Sequence, residues 1–75
     1  MDQQGVVLFF STHTVFRLEK ALQDRGLACK PIPTPRHLSS DCGTALRFAW
    51  QQREAVEAEI ERLDLEIQAI HQLSE

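Results

Sequence analysis

Nine consecutive residues, Pro35-Arg36-His37-Leu38-Ser39-Ser40-Asp41-Cys42-Gly43, place one thiol beside a glycine, two hydroxyls, an arginine and a histidine. Positive charge and hydrogen-bond donors favour a thiolate over a thiol, so a cysteine in such company is a candidate nucleophile. A second group of polar side chains, Ser11-Thr12-His13, stands about thirty residues upstream. His13 would exchange a proton with the sulfur or donate to it, since imidazole changes charge near neutral pH. Arg36 would stabilise the sulfur's negative charge, with a pairing to Asp41 as the plain alternative. Ser39 and Ser40 would build the turn and offer hydroxyl donors. Gly43 would let the backbone approach the sulfur or adopt positive φ. His37 is expected to face solvent.

The elements that must position these groups follow from pattern. Gly5 to Phe10 is short, β-branched and aromatic with no polar alternation, which predicts a central strand buried on both sides. Ser11 to Thr14 supplies helix-capping side chains. Val15, Leu18, Ala21 and Leu22 fall three or four apart, the face of a helix that Gly26 should stop. Leu27 to Ile32 is extended but carries a proline, which demotes it to an edge strand. Cys29 within it reads as a small buried hydrophobe, with a resolving thiol as the minority role. Gly43 to Trp50 alternates, Leu46, Phe48 and Trp50 pointing one way.

Gln52 to Leu63 is helical by propensity and by the face Val56, Ile60, Leu63. The last segment is ambiguous. Val56, Ile60, Leu63, Ile67 and Ile70 keep a 4-3-4-3 spacing that suits one long helix and a dimerising seam. Against it, Leu65 to Ala69 alternates, and three strands with a proline-bearing edge make a poor partner for two helices. The prediction is therefore an α+β, ferredoxin-like β-α-β-β-α-β fold: an antiparallel four-stranded sheet with two helices on one face. Three strands with a long C-terminal helix is the alternative.

Size and charge bound the function. Seventy-five residues make one domain near the lower limit for an unstapled core. The longest apolar run, Val6 to Phe10, is far shorter than the roughly 20 residues that span a bilayer. Nothing before it resembles a signal peptide. No membrane partner and a cytoplasmic setting are expected, with both cysteines reduced. The net charge of −3 is uneven: six basic and four acidic residues lie in 1–50, two basic and seven acidic in 51–75. Phosphate backbones need clustered Lys and Arg, so no nucleic-acid partner is expected.

In this plan the first strand ends, the first helix begins and the third strand starts at one edge of the sheet. Ser11, Thr12 and His13 should meet the Arg36 to Cys42 loop there, where the helix N-terminus favours an anion. The reading requires Cys42 to be reachable and close to that turn. Zinc spacing of the C-x₂₋₄-C or H-x₃₋₅-H kind is missing, so no metal and no cofactor are expected, although a module using Cys42, His13, His37 and Cys29 is a rival. A hydrolase with Cys42 as nucleophile ranks last, because so small a domain offers little room for a substrate pocket.

Ser11-Thr12-His13, Glu19-Lys20, Leu22, Gly26, Pro33-x-Pro35-Arg36, Ser39-Ser40-x-Cys42-Gly43 and Ala45-Leu46-Arg47-Phe48 together resemble the family of small bacterial proteins labelled putative selenium/sulfur carrier protein-like. The likeness covers roughly residues 6 to 73, and its specific part is the Cys42 loop with the Ser-Thr-His turn. It departs after Gln51, where a glycine-bearing turn and strand are expected and Gln51 to Ile70 has no glycine. The resemblance implies a cysteine that holds sulfur or selenium as a persulfide or selenopersulfide between a donor and an acceptor protein. That is carrier chemistry and not enzymatic turnover. A non-catalytic interaction or regulatory module, dimerising through the acidic C-terminal segment or an exposed Trp50, is the alternative.

Overall fold

The computed structural model describes residues 3–38 and 42–73. Its elements are β1 (Gln4–Phe9), α1 (Thr12–Asp24), β2 (Cys29–Pro33), β3 (Thr44–Ala49), a 3-10 turn (Trp50–Gln52), α2 (Arg53–Arg62) and β4 (Ile67–Leu73). The strands form one antiparallel sheet in the order β2-β3-β1-β4. This is the β-α-β-β-α-β plan, with a fourth strand and not a long helix at the end.

β1 is apolar from Val6 to Phe9 because it is central and covered on both faces. Val7 and Phe9 join Val15, Leu18 and Leu22 of α1, Val56 of α2, and Leu46 and Phe48 of β3 in the helix-side core. Val6 and Leu8 face the other way, where they pack with Ala45, Ile32, Leu38, Ala69 and Leu73. Each fully buried Leu, Val or Phe contributes on the order of 1.5–3 kcal/mol. Gly5 is required by close packing, since a Cβ there would lie 2.5 Å from the Trp50 ring and 2.6 Å from that of Phe48. Those rings stack at a 6.0 Å centroid distance, and the Arg53 guanidinium lies 5.2 Å from the Trp50 ring centroid. Trp50 is therefore half-buried and has left the strand for the 3-10 turn, contrary to its expected place in β3 or on an exposed dimer surface.

The two helices stop in the same way with different residues. After α1 the N–H of Leu27 donates to the Leu22 carbonyl (2.9 Å) and that of Gly26 to Gln23 (2.9 Å), with Gly26 at φ 74°. After α2 the N–H of Leu65 donates to Ile60 (3.0 Å) and that of Asp64 to Glu61 (3.1 Å), with Asp64 at φ 52°. Both are Schellman closures, and aspartate occupies the left-handed position that glycine usually takes. β4 then carries a bulge: Leu8 pairs with Ala69 and Phe9 with Ile67, leaving Gln68 as the extra residue. Ile67 and Ile70, three apart, both reach the helix-side core because of it.

Candidate functional site

The fold brings Thr12 and Cys42, thirty residues apart, to the same rim. Thr12 opens α1 immediately after β1 ends, and the β2-β3 connection returns to that end of the sheet before β3 starts. Thr12 Oγ1 lies 3.4 Å from Cys42 Sγ, a contact in which either group can donate. Ser11 has the extended backbone of an N-cap (φ −144°, ψ 151°), but its side chain makes no bond to a first-turn N–H. Its hydroxyl instead meets Thr14 Oγ1 at 3.3 Å. The capping role expected of Ser11 is thus not filled by its side chain. The first turn also holds no acidic residue, so nothing of its own offsets the positive end of the helix dipole.

Thr34 secures the base of the loop. Its hydroxyl donates to the Cys42 carbonyl (2.9 Å) and its N–H to the Gly43 carbonyl (3.0 Å). The N–H of Leu38 donates to the Pro35 carbonyl (3.0 Å), closing a turn, and the Leu38 side chain packs on the open face of the sheet. The loop therefore straddles the rim, with Leu38 on one face and Cys42 on the other.

The thiol is 4% exposed and part of the helix-side core, with Leu65 in the same cluster. The reading from sequence required a reachable sulfur, and in this conformation it is enclosed. His13 and Arg36 are exposed. His37 is exposed. Gly43 is exposed with open space where a Cβ would stand, and the positive φ falls at Gly26 and not here, so neither reason given for a glycine at 43 applies. Ser39, Ser40 and Asp41 lie outside the described residues.

Cys29 begins β2, half-buried, its Sγ 3.9 Å from the Glu19 carbonyl oxygen. Burial first, and the Glu19 carboxylate second, push its pKa up and keep it a thiol. Among the described residues no three His, Cys, Asp or Glu side chains gather as metal ligands, and no helix is long and apolar enough to cross a membrane.

Sequence reasoning passed over three residues. Thr34 and Leu38 carried no signal, since a threonine between prolines and a lone leucine in a polar loop have no periodicity. Glu59 did carry one: it falls in the apolar stripe between Val56 and Ile60, three before Arg62. It is 4% exposed and accepts from Arg62 Nη2 (2.7 Å) and Arg25 Nη1 (3.3 Å). The Arg62 hydrogen bond is the main reason its carboxyl sits below the usual range.

Neither a curated protein nor a solved structure matches the chain. Residues 4–72, which include the Thr12 turn, the Cys42 loop, the first three strands and all but the last residue of β4, match the model of a family described as putative Se/S carrier protein-like, and the chain belongs to that family.

Proposed function

We propose that the protein carries sulfur or selenium on Cys42, as a persulfide or selenopersulfide, between a donor and an acceptor protein. One observation carries this reading: the Cys42 sulfur meets the hydroxyl of Thr12 at the opening turn of α1. Helix N-termini stabilise anions through unpaired N–H groups and the dipole, and both a thiolate and a persulfide are anions. The Cys42 thiolate attacks the outer sulfur of a donor persulfide. A new S–S bond forms on Cys42, the donor's own S–S bond breaks, and the donor leaves as a thiolate while the proton stays on the transferred sulfur. No net oxidation occurs, and the reverse step delivers the atom to an acceptor thiol.

The Thr12 hydroxyl lies against the sulfur at rest, in a contact where either group can donate. Because the thiol is enclosed, transfer requires the sulfur to become exposed to the partner, and His13 and Arg36, both exposed, then serve proton exchange and charge. The work is carriage by a single thiol, in a compartment that keeps Cys29 and Cys42 reduced.

The test is intact-mass analysis after incubation with a cysteine desulfurase and cysteine, or a selenocysteine lyase and selenocysteine. A gain of one sulfur or selenium mapped to Cys42, and abolished by Cys42→Ser, is expected. An unchanged mass, or a label on Cys29, overturns the reading. The enclosure of the thiol favours one rival, an interaction module in which Cys42 only packs. That module would keep its partner in the Cys42→Ser variant.

A further inference from the structure

Two large apolar side chains stand exposed among the described residues, Phe10 at 47% and Phe16 at 54%. Scattered exposed hydrophobics need no explanation, but these two flank the start of α1. Phe10 follows β1 directly, two residues before the helix. Phe16 lies four residues after Thr12, which puts it one turn along the same helix face as the hydroxyl that touches Cys42.

On the α1 side of this pair the charge among the described residues has one sign. His13 and Arg17, exposed, neighbour Phe16 on the helix surface, and no carboxylate pairs with Arg17 among the described residues. Arg36 and His37 are exposed at the turn of the Cys42 loop. The first acidic residue of α1 is Glu19, near its middle. By contrast α2 carries Glu54, Glu57 and Glu61, all exposed, and exposed Asp64 and Glu66 border the rim on its β4 side, where Ile67 pairs with Phe9. A chain of net charge −3 thus presents a cationic, aromatic patch on the α1 side of the rim where its thiol lies.

We infer that Phe10, Phe16 and Arg17 form the docking surface for the transfer partner. The partner's matching surface is an apolar patch edged by carboxylates, so that the rings are buried centrally and the arginine pairs at the margin. This rests on the carrier reading, because a sulfur can pass only between atoms in contact, and the surface around the thiol must then lie inside the interface.

The experiment compares two sources of sulfur on the full-length chain. One is a cysteine desulfurase with cysteine, a protein donor. The other is glutathione persulfide, too small to need a docking surface. Phe16→Glu and Arg17→Glu are expected to slow loading of Cys42 from the desulfurase tenfold or more, to weaken the salt dependence of that rate in Arg17→Glu, and to leave loading from glutathione persulfide unchanged. Circular dichroism and the melting curve should match those of the parent chain, since both positions face solvent. Desulfurase rates unaffected by either variant, or a parent chain loaded by glutathione persulfide alone, overturn the docking inference and leave the carrier reading standing. A parent chain loaded by neither source ends the carrier reading and the docking inference together. A dimer in sedimentation that Phe16→Glu dissociates would assign the patch to a second copy, which also overturns the inference.

Discussion

The two halves of the chain, β1-α1-β2 and β3-α2-β4, repeat one plan and begin their helices in opposite ways. α1 starts with no acidic residue and no side-chain cap, and a thiol from across the sheet lies against its first turn. α2 starts after a 3-10 turn, holds Glu54 in its own first turn, and has Arg53 over Trp50 beside it. One helix N-terminus is left to a distant residue; the other is filled by its neighbours. Burial differs as well: α1 buries Val15, Leu18, Ala21 and Leu22, whereas α2 buries only Val56 and the carboxylate Glu59. The half that anchors the core is thus also the half that presents the anion-favouring turn.

Truncations break or sharpen this contrast most strongly. Leu18→Ala should cost about 2–5 kcal/mol in chemical denaturation, the range for a fully buried leucine in a close-packed core. Leu63→Ala, at a half-buried position just after α2, should cost less than about 2 kcal/mol. Equal losses would remove the claim that α1 is the anchor. Thr12→Val keeps the shape of the side chain and deletes its hydroxyl. Sulfur uptake by Cys42 should fall about tenfold, equivalent to about 1.4 kcal/mol of transition-state stabilisation. A thermal midpoint close to that of the parent chain would show that the loss is not one of folding. Unchanged uptake would mean that Thr12 only packs.

The asymmetry also explains what could be read in advance. The face of α1 and its stop at Gly26 were legible because a 3.6-residue pattern ended at a residue that takes positive φ without strain. The stop of α2 was not, because Asp64 does the same work and aspartate rarely marks a helix end. The 4-3-4-3 seam from Val56 to Ile70 therefore looked continuous. In the fold it is divided: Val56, Ile60 and Leu63 reach the core from α2 and its cap, Ile67 and Ile70 from β4 across the Gln68 bulge. The convergence of Thr12 and Cys42 followed from strand order alone. The enclosure of the thiol did not, since the segment that carries Cys42 is tied down by the Thr34 hydroxyl, and a threonine between prolines belongs to no periodic pattern.

Asp64→Gly tests the hidden stop directly. Removing a side chain from a left-handed residue relieves roughly 1–2 kcal/mol of strain, offset by the entropy that glycine adds to the unfolded chain. A net gain of about 0.5–1 kcal/mol in stability is expected. A loss would mean that the aspartate side chain makes a compensating bond.

The smallest effect belongs to Glu59, where Arg62 and Arg25 hold the carboxyl below its ordinary value. A depressed carboxylate stabilises the fold fully above its unfolded pKa of about 4.3, and that contribution is lost as pH falls toward the folded value. Stability measured by urea denaturation should therefore drop as the pH is taken below about 4.5, in excess of what the other carboxylates produce. Glu59→Gln should remove that excess and flatten the acid limb, with little change in its slope above neutral pH. The effect is modest because both guanidinium partners remain substantially exposed, at 63% and 46%, and are screened by water and salt. High salt should shrink the difference between parent and variant further, whereas uptake of sulfur at the opposite end of α1 should be the same in both. A variant that lost uptake along with acid stability would show that the two ends of the helix are coupled and that the contrast drawn between them is too sharp.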